Sequence, residues 1–431
     1  MTSLESIASN IAHYDEDDMH VDAVHGFLAR MITPITQCET VPLIDALGRV
    51  LAADVISAVN VPPHDNSAMD GFAFHGSSLQ GGRPLHLKPI ATALAGHAWS
   101  GHVAADECVR IMTGAVMPAG LDTVVPIERT TQAADGSIEI AADGLRPGAN
   151  RRLKGEDLMQ GGIALAAGEL VTPAALGLLA SLGLSQVSVT RRLRVAYFST
   201  GDEILGPGDA PREGAVYDSN RFSLFGLLMR LGVEVIDLGT VRDEPQRIEA
   251  TFFKAAASAD AVITSGGVSG GDADHIRAMM KRLGDVAFWR IAMRPGRPMA
   301  VGWLNRQDCA DDGRRCVLFG LPGNPVAAMV TFLALVRPAL LAMMGCKRAA
   351  PPRLQAVCTE TLRKRPGRTE FQRGIVTQAA SGALEVCTTG SQGSGMLSSM
   401  VHANGLIVLP HDTASIHPGD TVEVMMFEGM I

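Results

Sequence analysis

The chain of 431 residues lacks the basic excess of a nucleic-acid binder: 37 Lys and Arg stand against 45 Asp and Glu, a formal net charge of −8 with a pI near 5.8. Proteins that grip a polyanionic backbone usually carry the opposite sign, so that class is set aside; a local basic pocket stays open. Cysteine is sparse and unpatterned. Cys38, Cys108, Cys309, Cys316, Cys346, Cys358 and Cys387 form no CxxC pair, which argues against a zinc site or a disulfide framework and leaves the reduced thiols of a cytoplasmic protein. No GxxxxGK[ST] loop occurs and no GxGxxG follows a strand, so two common nucleotide cradles are missing. The most membrane-like stretch, residues 325–345, is interrupted by Arg337 and Pro338, short of the roughly 20 apolar residues a span needs. It reads as a buried helix kinked or ended at the proline. The first residues are acidic (Asp15, Glu16, Asp17, Asp18) where a secretion signal starts basic, so neither export nor a membrane partner is expected.

What is present is apolar material for several cores: 47% hydrophobic against 19% charged. The length calls for roughly three or four domains. Residues 21–49 carry helical apolar spacing. From about 51 to 150, short β-rich runs (108–112, 123–127) alternate with Gly/Pro turns, a small β-rich domain. A different rhythm starts near residue 193. Strand-like runs at 194–199, 233–238, 261–264, 286–291 and 317–319 alternate with helical runs at 220–231, 244–258 and 272–283. That alternation predicts a parallel sheet covered on both faces, with its ligand at the carboxyl ends of the strands. After a linker at 349–352, short strands (406–409, 421–426) separated by Gly turns predict a compact β domain.

Two acidic turns follow strands of the α/β region: Ser199-Thr200-Gly201-Asp202-Glu203, and the run from Ser265 to Asp274 that contains Gly266, Gly267 and Ser269. Glycines let a backbone approach a ligand, amides at a helix start favour an anion, and nearby carboxylates suit Mg²⁺ shared with phosphates. The plainer reading is that the acids cap helices and the glycines make turns. Residues 267–271 also fit G-x-S-x-G. With no His-Gly-Gly segment upstream and the later histidines His402, His411 and His417 in the separate β tail, a serine hydrolase is a weak alternative. Arg290, Arg294 and Arg297 crowd one strand–turn stiffened by Pro295, Gly296 and Pro298. Their planar forks match oxyanions, against the ordinary reading of a solvated basic edge. Residues 65–71, DNSAMDG, taken alone read as a loop bonding its own backbone.

Taken together these stretches resemble the MoeA-type molybdopterin molybdenumtransferases, a family related to the E domain of gephyrin. The stretches are PPHDNSAMDGFA (62–73), RIMTGAVMP (110–118), RRLKGEDL (151–158), FSTGDE (198–203) and YDSNR (217–221), then SGGVSGGDAD (265–274), AMRPGRP (292–298), GLPGNPV (320–326) and PGRTEFQRG (366–374). Any one is weak; nine in order over nearly the whole chain are specific.

The resemblance implies an elongated, multidomain subunit of α/β and β folds. In it, a doubly wound, mostly parallel α/β molybdopterin-binding domain (189–345, with 1–20 packed on it) joins a β-rich domain (55–153). A connecting and dimerising unit (21–54 with 154–188) and a C-terminal β-barrel-like domain (350–431) complete it. The resemblance further implies a homodimer whose site joins the α/β domain of one subunit to the β-rich domain of the other. Asp70, Thr113, Asp157, Glu203, Asp243 and Asp274 match residues important for activity, Pro322 and Pro325 shape the substrate pocket, and Glu203 and Asp274 hold Mg²⁺. Ser265, Gly266, Gly267, Ser269, Arg290, Arg294 and Arg297 match binding positions; lysines are frequent in the family where these three arginines stand, which keeps charge and changes geometry. The implied reaction is Mg²⁺-assisted insertion of molybdate into adenylylated molybdopterin with release of AMP, with the molybdopterin adenylyltransferase a candidate partner. The competing expectation is a catalytically silent molybdopterin-binding or scaffolding protein of the same fold.

Overall fold

The computed structural model describes residues 3–81, 83–141, 143–266, 279–305, 315–347, 350 and 352–430. Its largest sheet has six strands in the order Glu234–Val241, Arg194–Thr200, Ala261–Ser265, Cys316–Leu321, Pro298–Leu304, Gly284–Arg290. The first four are parallel, and the last two run antiparallel to their neighbours. The central strands are apolar without alternation because both faces are covered. On one face Val195, Tyr197, Ile263 and Phe319 pack with Leu224, Leu227 and Leu228 of the Ser219–Leu231 helix. On the other, Ala196, Phe198, Val262 and Leu318 pack with Ile248, Phe252 and Ala255 of the Pro245–Ser258 helix. This is the doubly wound, mostly parallel domain the alternation predicts.

Three local readings needed correction. The sequence reading assigns no strand to Pro298–Leu304, which follows the Pro295-Gly296 turn and zips antiparallel between its neighbours from residue 298 onward. The helical spacing of 21–49 becomes a helix only over Val21–Met31. Thr33 precedes Pro34 and is pushed out of the helical region, and the chain continues into the strand Cys38–Pro42. The apolar helix is buried as read but is not ended at Pro338: Pro325–Thr331 passes through a π-helical turn, Phe332–Val336, into Arg337–Met343. The wider turn pairs Arg337 N–H with Phe332 O and places the proline in the first turn of the following segment, where a missing N–H is tolerated. This helix is long and apolar enough to cross a membrane, but 83% of its most apolar window is buried inside the protein.

A small lobe is built from two separated stretches. Cys38–Pro42 pairs with Gln186–Thr190, Val55–Ile56 pairs with Ile163–Leu165, and Val41, Leu51, Leu179 and Val189 share one core. Beyond it lies a six-stranded sheet in the order Thr123–Pro126, Gly71–Phe74, Glu107–Ile111, Leu85–Ala93, Ile138–Ile140, Thr130–Gln132. The C-terminal strands close on themselves: Arg353–Cys358, Leu384–Thr388, Thr369–Gln378, Gly405–Leu409 and Thr421–Met426 form a five-stranded barrel. Met293–Arg294 pairs in parallel with Thr369–Glu370, and Phe371, Leu406, Val408 and Met425 enter the core of the α/β domain, sealing barrel to sheet. The accessible surface of 21211 Å² exceeds the about 16,000 Å² of one compact body of this mass, as separate lobes require.

Candidate functional site

Three parallel strands end side by side at Thr200, Ser265 and Leu321, and two helices begin beside them. Asp218 caps the Ser219–Leu231 helix by accepting from Arg221 N–H at 3.0 Å, and Asn324 precedes the helix that starts at Pro325. Together they line a cavity of about 970 Å³. Parallel strand ends and helix N-termini put free amides and partial positive charge in one place, a setting that attracts anions. Arg294, Arg297 and, from the barrel side, Arg368 add three guanidinium groups to the wall, and Glu203 adds a carboxylate.

The strand ends are fixed from beneath. Tyr197, 1% exposed, shares its hydroxyl with Ser199 Oγ and Ser265 Oγ, each at 2.8 Å. Burial pushes its phenol well above the usual range, so it stays neutral and holds the two serines. Gly266 is required by geometry: its φ is +89°, and a Cβ there would lie 2.6 Å from Thr200 O. The arginine loop is closed by Ile291 N–H donating to Arg297 O at 2.6 Å, and Arg294 lies 3.9 Å from the buried Glu370. Loop 392–395 bridges from the barrel to the second helix start: Val326 N–H donates to Ser394 O (3.1 Å) and Asn324 Nδ2 to Ser394 Oγ (3.2 Å).

Of the residues singled out in sequence, the structure brings Glu203, Ser265, Gly266, Arg294, Arg297, Pro322 and Pro325 to this cavity. Gly267, Ser269 and Asp274 lie outside the described residues. Arg290 does not line the cavity; its side chain is 59% exposed and lies 3.8 Å from Asp17. Asp243 follows the Glu234–Val241 strand with its backbone N–H 3.4 Å from Asp202 Oδ1, also off the cavity wall. Asp70 and Thr113 form a second, exposed pair at the edge of the β-rich sheet, and Asp157 is exposed on the loop that pairs with Val61. There Asp70 Oδ1 accepts from both N–H and Oγ1 of Thr113, and Asp157 N–H donates to Val61 O at 3.1 Å. The two bonds from Thr113, the hydroxyl's first, hold the Asp70 carboxyl below its ordinary value.

Sequence reading gave no role to Asn220, Asn324, Arg368 and Gln392, which also line the cavity together with Thr200 of the first acidic turn. The signal for Asn220 was present in YDSNR, an Asp-Ser-Asn start to a helix whose N-terminus faces a ligand edge.

A doubly wound sheet with an arginine-lined cavity at its carboxyl edge places the chain among α/β proteins that hold ligands at their strand ends. Comparison with known proteins narrows the class. Residues 19–183 match the MoeA N-terminal region (domain I and II), residues 196–342 a probable molybdopterin binding domain, and residues 355–427 the MoeA C-terminal region (domain IV). A molybdopterin molybdenumtransferase of Haemophilus influenzae is 41% identical over 398 residues, 92% of this chain and 95% of the relative. The molybdopterin molybdenumtransferase 2 of Mycobacterium tuberculosis is 35% identical over 396 residues, 89% and 94% of the two chains. The solved molybdopterin biosynthesis moeA protein from Pyrococcus horikoshii OT3 superposes with a TM-score of 0.78 at 25% identity, covering 95% of this chain and all of the other. The chain belongs to the MoeA family of molybdopterin molybdenumtransferases.

Proposed function

We propose that this protein is a transferase of molybdenum cofactor biosynthesis that inserts molybdate into adenylylated molybdopterin, with AMP released as the pyrophosphate is hydrolysed. The observation that carries the reading is the cavity itself: two helix N-termini, Arg294, Arg297, Arg368 and Glu203 line one space of about 970 Å³, room for a pterin with its phosphates. The guanidinium groups and helix amides neutralise phosphate and molybdate oxygens, and binding both reactants there replaces a bimolecular encounter by a held one. Ser265 and Gly266 bring the floor close to the ligand, and Pro322 and Pro325 shape the wall at the second helix start.

No group of three metal-ligating side chains occurs among the described residues, but Mg²⁺ needs no protein cage when phosphates supply oxygens. Glu203 at the cavity wall fits that role, and Asp274 is its proposed companion; the ion would screen phosphate charge and polarise the scissile bond. Asp70, Thr113 and Asp157 do not line the cavity, so we assign them to the site of a second subunit in a homodimer, where they orient pterin or activate water. Domain boundaries at residues 54/55, 153/154, 188/189 and 345/350 follow from the same reading, as do a cytoplasmic location and hand-over of substrate by the adenylyltransferase.

The reading is tested by the pterin that builds up in cells lacking the protein. Adenylylated molybdopterin should accumulate; accumulation of an earlier pterin, or of finished cofactor, would contradict it.

A further inference from the structure

Asn220 holds an acceptor that nothing in the fold uses. It is the second residue of the Ser219–Leu231 helix, is 8% exposed, and lines the main cavity. Its Nδ2 donates to Gly323 O at 2.7 Å, tying one helix start to the loop before the other. Because a carbonyl can only accept, this bond fixes which way the amide faces. The amide oxygen, Asn220 Oδ1, is left buried with no hydrogen-bond partner among the described residues, and so is the hydroxyl of Thr200 at the end of the neighbouring strand. Both residues belong to the same cavity wall. Buried polar atoms are nearly always paired, and two orphans on one ligand cavity point to a ligand that pairs them.

The chemistry of that ligand follows from the surroundings. An oxyanion is excluded at this spot, because a fixed amide oxygen would set lone pair against lone pair. A cation is disfavoured by the partial positive charge of the two helix N-termini that Asn220 joins and by the arginines of the wall. What remains is a neutral N–H or O–H donor. We infer that Asn220 Oδ1 and Thr200 Oγ1 form a donor-reading subsite that takes the exocyclic amino N–H of the substrate's heterocycle, while the arginines take its anionic end. The inference rests on the proposed pterin substrate, and assigns specificity between heterocycles to Asn220.

The test compares three ligands across wild type and two variants. Wild type, Asn220→Ala and Thr200→Val are titrated with 2-aminopteridin-4-one, with its 2-oxo counterpart that presents an acceptor in place of the amine, and with AMP. Wild type should bind the amino compound roughly tenfold or more tightly than the oxo compound, the effect of leaving a buried acceptor unpaired. Asn220→Ala should bring the two within about twofold while AMP binding is unchanged, and Thr200→Val, which keeps the side-chain shape, should narrow the ratio less. A purely structural asparagine would weaken both pteridines alike and leave their ratio intact, which overturns the assignment. A loss of AMP affinity with the ratio preserved also overturns it, by moving the donor to a ribose hydroxyl. Binding without discrimination in wild type overturns this subsite alone; failure of wild type to bind either pteridine overturns it together with the pterin reading.

Discussion

Thr113 donates twice to one oxygen: its backbone N–H and its hydroxyl both reach Asp70 Oδ1, each at 2.7 Å. The pair is exposed and lies on the β-rich sheet rather than at the main cavity, so its order serves the carboxylate and not a core. Thr113→Val removes the hydroxyl and keeps the N–H. The Asp70 carboxyl should then rise toward its ordinary value, measured by titration of its side-chain NMR signal. The folded value lies below the unfolded one, so any stability linked to Asp70 is present above the ordinary carboxylate range and lost as pH falls through the folded value. An unmoved titration in Thr113→Val would show that the hydroxyl does not hold the charge.

If Asp70 and Glu203 serve one site from different subunits, defects in them should complement. Asp70→Asn and Glu203→Gln homodimers should each be inactive while folded. Mixing and reassociating them should restore about a quarter of the wild-type rate, since random pairing in a two-fold dimer puts one intact site in half the molecules. A mixture as inactive as its parents would place both residues in one subunit's site or in none.

Arg294 tests the arginine loop. Alanine removes charge and fork, and a hydrogen bond to a charged group contributes about 1.5–3 kcal/mol, so anion affinity should fall roughly tenfold or more. Lysine keeps a point charge and should fall between. Equal affinity for molybdate in wild type and Arg294→Ala, by calorimetry, would return the loop to a solvated basic edge; dimer mass and melting temperature are the controls.

Gly266→Ala should damage fold and site together. The left-handed backbone costs an L-residue roughly 1–2 kcal/mol, and the added Cβ would meet Thr200 O at 2.6 Å. A lower melting temperature with weakened ligand binding is expected; an unchanged protein would mean that the two strand ends separate freely.

How legible the molecule was in its sequence depended on how local the cause was. The Ala261–Ser265 strand and the glycine that follows it are written in one apolar run and one turn residue. So are the Arg294–Arg297 turn and the helix after Asp218. The Pro298–Leu304 strand was hidden because prolines that read as turn precede pairing contributed by distant strands. The helix through Pro338 survives by a π-turn, a backbone adjustment that composition does not encode. At the site, Glu203 and the arginines stood out by charge. Asn220 did not, because its significance lies in an oxygen left over after its amide N–H donates to Gly323 O, 103 residues away. Nor could local sequence tell Glu203, which the fold brings to the cavity, from Asp70 and Asp157, which it leaves off the cavity wall.

The central claim is chemical, and one assay meets it directly. Purified protein is loaded with adenylylated molybdopterin and Mg²⁺, molybdate is added, and AMP and finished cofactor are quantified together. Stoichiometric AMP release that starts only on adding molybdate, with cofactor able to activate an apo-molybdoenzyme, is the expected result. Tight binding of the adenylylated pterin with no AMP released at any molybdate concentration would contradict it and make the protein a carrier or scaffold.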